Sequence, residues 1–378
     1  MKVSLIQKER LINTFFELVQ IDSETKYEAK IAKKLTRIFT ELGLRVEEDN
    51  ASEKIDHEAN NLICTLDANT DNVDAIYFTC HMDTVTPGVK IQPQIKDDYI
   101  VSDGTTILGA DDKAGIAALI EMIHVIKENN MKHGTIQFVI TVGEESGLAG
   151  AKVLDPTFIK ASYGYALDSD GPVGHVVTQA PYQAKIFAKL YGKSAHAGVA
   201  PEKGISAITV AAKAIAKMEL GRIDKETTAN IGYFKGGKET ETNVVVDYVE
   251  IVAEARSLQH EKLHKTTAQM KEAFEQAIKT YGGDVQVDVQ EMYPGFLIEA
   301  DSKPVKVVQE VTEDLNLPFA QVESGGGSDA NIFNGFGIPT ANLAVGYEHI
   351  HTTKERIHVD QLTQLANLIV HIVQHIAK

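Results

Sequence analysis

The stretch Ile136-Gln137-Phe138-Val139-Ile140-Thr141-Val142-Gly143-Glu144-Glu145 is apolar almost throughout and then stops on two acids. A strand with one wet face alternates apolar and polar residues. A nearly unbroken apolar run is what a strand covered on both faces requires, and such strands belong to parallel sheets flanked by helices. Working outward, short apolar runs recur at 61–66, 76–80, 163–167 and 340–345. Helical periodicity lies between them. Leu5, Ile6, Leu11, Ile12, Phe15, Phe16 and Val19 suit an amphipathic helix, a second helix covers about 28–42 and stops at Gly43, and a third opens near Asp111 with Ile116, Leu119, Ile120, Ile123 and Ile126 on one face. Alternating helices and strands predict an α/β layer architecture with a mixed sheet flanked by helices.

From about residue 178 the texture changes. Strands are expected at 182–190, 250–255 and 285–289, and helices at 205–218 and 260–279. More strands and more polar alternation predict a smaller α+β unit. Beyond Pro294 the first texture returns, with a helix at 304–315, the strand at 340–345 and a closing helix from 359. The expected organisation is a discontinuous host domain, 1–178 and 294–378, carrying an inserted domain at 179–293.

Composition narrows the function classes. Of 378 residues, 43% are hydrophobic and 24% charged, enough for a sizeable core. Lys and Arg number 37 against 53 Asp and Glu, a net charge of −16, which speaks against a nucleic-acid partner bound through its phosphates. No window of about 18 apolar residues is present to span a membrane. The first twenty residues lack the continuous apolar segment and small-residue cleavage site of a signal peptide. The only cysteines, Cys64 and Cys80, sit inside apolar runs and are expected to be buried, reduced thiols of a cytoplasmic protein.

The chemistry sits where the strands end, and in open α/β sheets ligands bind just beyond the carboxyl ends of strands. His81 and Asp83 follow one run, Glu144 and Glu145 another, Asp168 a third, and His349 and His351 a fourth, while Asp111 and Asp112 stand at the mouth of a helix. One such residue is ordinary; four strands ending this way are not. Imidazole and carboxylate together suit zinc-like cations, and no cysteine pair with zinc-knuckle spacing competes. Two imidazoles and at least three carboxylates exceed one tetrahedral shell, so two metals sharing a carboxylate are expected. In an extended segment Asp83 points the same way as His81 and can fix its tautomer. Glu144 and Glu145, being adjacent, divide their roles, one to metal and one to substrate as general base.

These segments resemble the peptidase T-like di-zinc metallopeptidases, relatives of glutamate carboxypeptidases, aminoacylases and succinyl-diaminopimelate desuccinylases. The resemblance rests on His81-Met82-Asp83-Thr84-Val85, Gly109-Ala110-Asp111-Asp112-Lys113-Ala114-Gly115, Gly143-Glu144-Glu145-Ser146-Gly147, Ala166-Leu167-Asp168, Gly192-Lys193-Ser194-Ala195-His196-Ala197-Gly198, Gly325-Gly326-Gly327-Ser328-Asp329 and His351-Thr352-Thr353-Lys354-Glu355, in family order across nearly the whole chain. It implies a zinc-aminopeptidase-like catalytic domain with an inserted lid or dimerisation domain. It also implies two Zn2+ ions per subunit, with Co2+ or Mn2+ as substitutes. Asp111 would bridge them, His81 and Asp168 would complete one site, and Glu145 and His351 the other. A cis peptide is implied between Asp111 and Asp112. Asp83 would orient His81, and Glu144 would activate the bridging water. His351 is preferred to His349 because a short spacer and an acid, Glu355, follow it.

In the inserted domain, His196 resembles a histidine that approaches the oxyanion, and Asn243 and Arg256 resemble residues that hold the substrate backbone and terminal carboxylate. Within the resemblance, Asp168 in place of Glu points to aminopeptidase activity. The implied protein is a cytoplasmic enzyme releasing the N-terminal residue of tripeptides, with short peptides as partners and a homodimer formed through the inserted domain. The alternative is an N-acyl amino acid deacylase or a carboxypeptidase of the same family. A serine hydrolase would need Gly-x-Ser-x-Gly and a dinucleotide-binding enzyme Gly-x-Gly-x-x-Gly after a strand, and neither appears.

Overall fold

The structure, a computed structural model, describes residues 5–378. Positions 1–4 of the N-terminal stretch read above lie outside the described residues. The chain divides into two compact units. One comprises the residues up to Thr178 together with Leu297–Glu323 and Ser328–Lys378; the other comprises Gln179–Phe296 and Ser324–Gly327.

The larger unit is built on a mixed sheet. Its spatial order runs Arg45–Glu48, Leu62–Leu66, Ile136–Thr141, Ile76–His81, Tyr163–Ser169, Thr340–Ala344, His175–Ala180, Phe296–Leu297. The four strands Ile136–Thr141, Ile76–His81, Tyr163–Ser169 and Thr340–Ala344 are mutually parallel neighbours, with antiparallel strands on each side of that block. Every residue of Ile76–His81, Ile136–Thr141 and Thr340–Ala344 is buried, as their unbroken apolar character requires.

Helices cover both faces. On the Phe78 side, Phe138 and Tyr165 stack at 6.3 and 5.6 Å between ring centroids, and Phe39 from the helix Ala29–Glu41 continues the stack onto Phe138 at 5.9 Å. On the Tyr77 side, Phe333 from the helix Asp329–Gly335 meets Tyr77 edge-on at 5.5 Å. Each such fully buried ring is worth roughly 2–3 kcal/mol of hydrophobic stabilisation.

The helix Ala110–Glu128 lies against the same sheet, and its first turn decides where the site forms. Asp111 and Asp112 have non-helical dihedrals and the peptide between them is cis. Regular helix follows, and Gly115 brings it so close to the strands that a Cβ there would lie 2.8 Å from Cys80 Sγ and 3.1 Å from Leu167 Cβ. A separate four-stranded ribbon, in the order Tyr347–Glu348, Arg356–His358, Tyr99–Val101, Gln94–Lys96, anchors the loop that carries His351.

The smaller unit is a five-stranded antiparallel sheet, ordered Gly221–Arg222, Thr227–Gly236, Tyr248–Ser257, Tyr182–Tyr191, Asp284–Tyr293. The helices Ala207–Ile215 and His260–Tyr281 close its apolar face. Alternate residues Ala184, Ile186, Ala188 and Leu190, with Val249, Ile251, Ala253 and Ala255, meet Val210, Leu263, Met270 and Phe274. The helix expected at 205–218 is shorter, running Ala207–Ile215 behind the N-cap Ser206, and Ile205 and Met218 of the apolar pattern pack on the same cluster from outside it. The strand Thr227–Gly236 has no apolar run to announce it, since only Thr227 and Ala229 in it are buried.

Candidate metal centre

The four parallel strands end side by side, so the acids and imidazoles that follow them converge. His81 is the last residue of its strand, Asp168 is the sixth of seven in Tyr163–Ser169, Glu144 and Glu145 stand just beyond Thr141, and His351 sits in the loop between Tyr347–Glu348 and Arg356–His358. Asp111 enters from the helix mouth and offers one carboxylate oxygen to each imidazole. His81 Nε2 lies 3.0 Å from its Oδ1 and His351 Nε2 lies 3.1 Å from its Oδ2. Asp168 Oδ1 is 3.8 Å from His81 Nε2, and Glu145 Oε1 is 3.0 Å from His351 Nε2.

Two groups that could each hold a metal ion therefore share Asp111: His81, Asp111 and Asp168 on one side, and Asp111, Glu145 and His351 on the other, with donor atoms within 4.8 Å of one another in each. His81, Glu144 and Glu145 also fall within that distance, so Glu144 stands beside the sets. His351 is the imidazole brought to this centre; the described contact of His349 is a carbonyl that accepts from the Thr352 hydroxyl.

A second layer holds these groups in place. His81 Nδ1 lies 3.1 Å from the Asp83 carbonyl oxygen and 3.4 Å from Asp83 Oδ1. Both are acceptors, so in the neutral ring Nδ1 carries the proton and the Nε2 lone pair faces Asp111 and Asp168. The Asp83 carboxylate also shapes the neighbouring turn. Its two oxygens accept the backbone N–H groups of Glu144 and Glu145 at 3.0 and 3.2 Å, which fixes both acids in place.

Behind that turn, buried Glu28 holds His57 Nδ1 at 2.7 Å, and His57 Nε2 meets Ser146 Oγ at 3.1 Å. Gly143, at φ 60°, lies flat on the His57 ring, where a Cβ would come within 2.8 Å of Nε2. Glu355, 2% exposed, accepts the backbone N–H groups of Leu108, Gly109 and Asp111 at 2.7, 2.8 and 3.0 Å. Asn342 brackets Asp168, accepting its N–H at 2.9 Å and donating to its carbonyl at 2.7 Å, and Tyr347 donates to the Asp168 carboxylate at 3.2 Å. Sequence reading found none of these roles for Glu28, His57, Asn342 or Tyr347, and used Glu355 only as a marker for His351.

The electrostatics favour a cation. Burial raises the Asp168, Glu144 and Glu145 carboxyls, and Asp168 adds to the rise at Glu144. Burial acts the same way on Asp111, but hydrogen bonds from His351 and His81 outweigh it and hold Asp111 below the usual carboxylate range. Burial works against a charged His81, yet its bonds to Asp111 and Asp83 pull its proton affinity well up, and His351 is raised to about 10 by Asp111 and Glu145. Protons thus crowd onto the imidazoles because four carboxylates face only two of them, a deficit that divalent cations would fill.

Geometry agrees. Glu145 Oε1 is buried without an aligned hydrogen-bond donor although His351 Nε2 is 3.0 Å away. Two ligands of one cation approach each other in this way. Separations of 3.0–3.8 Å between donors bracket the roughly 3.3 Å edge of a tetrahedron with metal–ligand bonds of about 2.0–2.1 Å.

Three further residues singled out in the sequence lie in the smaller unit. His196 is exposed, and its Nδ1 accepts the N–H groups of Gly198 and Val199 at 3.2 Å each. That fixes the proton of the neutral ring on Nε2, which is left as a free-facing donor. Asn243 is adjacent, its carbonyl accepting from Ala197 N–H at 2.8 Å while His196 pairs with Val244. Arg256 is engaged: Nε and Nη2 fork onto the Glu254 carboxylate at 3.1 and 3.4 Å, and Nη1 reaches the Gly325 carbonyl at 3.5 Å.

Shared-carboxylate ligand sets at the carboxyl edge of a parallel block are the arrangement of a metal-dependent hydrolase. The chain belongs to Peptidase family M20/M25/M40, whose profile matches residues 77–375. It is a metallopeptidase. It is 61% identical to an aminopeptidase PepT from Bacillus cereus ATCC 10987 of known structure, with 99% of this chain and 100% of that one covered and a TM-score of 0.92. It is 50% identical to a tripeptidase from Staphylococcus aureus subsp. aureus Mu50, with 99% of each chain covered and a TM-score of 0.95. It is 27% identical over 414 residues to a Peptidase T of Geobacillus sp. (strain WCH70), covering 97% of this chain and 98% of that protein. Among the described residues no helix is long and apolar enough to cross a membrane.

Proposed function

We propose that the protein releases the N-terminal residue of short peptides, tripeptides above all, using two Zn2+ ions, with Co2+ or Mn2+ able to replace them. The observation that carries this reading is Asp111 placed between His81 and His351 with one oxygen toward each. His81, Asp111 and Asp168 would hold one ion, and Asp111, Glu145 and His351 the other. Bound there, the two cations would supply Lewis acidity to the scissile carbonyl and to the attacking water.

The chain's own residues do the rest. Glu144 accepts a proton from the water as its oxygen bonds to the carbonyl carbon, then passes that proton to the amine as the C–N bond breaks. In the metal-free protein, burial and the neighbouring Asp168 raise the proton affinity of Glu144. Asp83 positions both His81 and the Glu144 backbone. The smaller unit is assigned the roles of lid and of pairing surface in a homodimer. His196 Nε2–H would donate to the developing oxyanion, Asn243 would hold the peptide backbone, and Arg256 would bind the terminal carboxylate. Aspartate at position 168 and the aminopeptidase and tripeptidase similar to this chain support the choice of amide. Two buried, unpaired thiols, Cys64 and Cys80, suit a reducing cytoplasm.

The test is hydrolysis of a matched set by zinc-loaded protein, followed by mass spectrometry: a dipeptide, a tripeptide, its N-acetylated form and an N-acyl amino acid. Release of the N-terminal residue from the free tripeptide is expected. Cleavage of the acylated compounds alone would replace this reading with a deacylase.

A further inference from the structure

A second convergence of metal-type ligands lies wholly within the smaller unit. The helix His260–Tyr281 begins with His260, and His264 stands one turn later on the same face. Beside them runs the strand Asp284–Tyr293, whose register shifts between Glu291 and Tyr293. Glu291 reaches both rings, with His260 Nε2 3.0 Å from its Oε2 and His264 Nε2 3.3 Å from its Oε1. The three side chains can place one donor atom each within 4.8 Å of one another.

The rings are already placed. Their centroids are 4.2 Å apart at 62°, and Tyr182 lies against His260 at 4.7 Å. Lys262, between the two histidines in sequence, turns to Asp224 and Glu226 at 2.9 and 2.6 Å, and among the described residues the ion-pair partners of Glu291 are the two imidazoles. The spacings of 3.0 and 3.3 Å match the 3.0 and 3.1 Å between the imidazoles and Asp111 in the larger unit. All three residues are about half exposed, leaving room for water to complete a coordination shell.

We propose that His260, His264 and Glu291 form a separate binding site for one borderline divalent cation of the Zn2+, Ni2+ or Cu2+ class. The site clips the first turn of a helix to the bulged end of a strand, and it does not depend on how the larger unit cuts peptides. Two imidazoles and one carboxylate are the donor set that selects such cations over Mg2+ or Ca2+, which take oxygen.

Equilibrium dialysis against buffered free Zn2+, with bound metal counted by elemental analysis, tests it on the full-length protein. Wild type should bind one more equivalent per chain than His264→Ala or Glu291→Gln, the extra equivalent weakening by at least about tenfold in either variant. Peptidase activity with the tighter sites filled should be unchanged in both. Cu2+ placed in the extra site should show coupling to two nitrogens by electron paramagnetic resonance, and to one in His264→Ala. Equal metal uptake by all three proteins across the whole range of free Zn2+ would overturn the proposal and leave Glu291 as a hydrogen-bonded partner of two surface histidines.

Discussion

The two units hold their candidate residues in opposite ways. In the larger unit the groups at the candidate metal centre are held by partners distant in sequence: Asp111 by its backbone N–H on Glu355 and by both imidazoles, Asp168 by Asn342 at both its N–H and its carbonyl, and Glu144 and Glu145 through Asp83. In the smaller unit His196 and Asn243 are exposed and held by local backbone contacts, and Arg256 is shared with Glu254. The difference suits the roles proposed for each. Charges that stabilise a reaction need burial and prearrangement, because a low dielectric strengthens them and no reorganisation is then required. Groups that receive peptides of varied sequence need exposure and adjustable partners.

Perturbing each unit sharpens that contrast. The largest effect is expected from Asp111→Ala, which removes the one residue common to both ligand sets; metal content should fall for both ions and hydrolysis should drop below detection. Retention of both ions, counted after gel filtration, would show that Asp111 is not shared.

Glu355→Gln should be milder, because it leaves the ligands intact and loosens only the loop behind Asp111. Metal affinity measured by chelator competition should weaken about 10–100-fold. In the metal-free protein, burial pushes Glu355 up to about 7 against its three N–H donors. A carboxyl raised above its unfolded value of about 4.3 contributes stability that is lost as pH rises toward 7. The glutamine variant should flatten that slope in urea unfolding between those two pH values.

In the smaller unit, Arg256→Ala should raise KM about 10–100-fold while kcat changes little, since a charge-assisted hydrogen bond is worth roughly 1.5–3 kcal/mol. The effect should vanish on peptides with an amidated C-terminus. Glu254→Gln should act in the opposite sense and lower KM by freeing the guanidinium. The smallest effect is a null one: burial raises the Cys64 and Cys80 thiols, so neither should react with a thiol reagent at pH 8 until the protein is unfolded.

How much of this was legible in the sequence depended on the range of the interaction. Strands buried on both faces announce themselves by composition, so the parallel block and the residues just past its strand ends could be read directly, as could the helix mouth at Asp111. The glutamate that holds that mouth could not. Glu355 and the Asp111 N–H it accepts are separated by 244 positions, and no local pattern links them. The Glu28–His57–Ser146 chain is hidden for the same reason. The Arg256–Glu254 pair was within reach, because residues i and i+2 of a strand share a face. The strand Thr227–Gly236 escaped because a strand that buries only Thr227 and Ala229 has no need of an apolar run.

The most direct measurement is on Glu144→Ala, comparing metal content with turnover of a free tripeptide. If Glu144 moves protons and holds no ion, the variant keeps two metals per chain in the larger unit and loses about 10²–10⁴-fold in kcat. Near-normal turnover, or loss of metal along with activity, would contradict the division of labour between Glu144 and Glu145 on which the proposed mechanism stands.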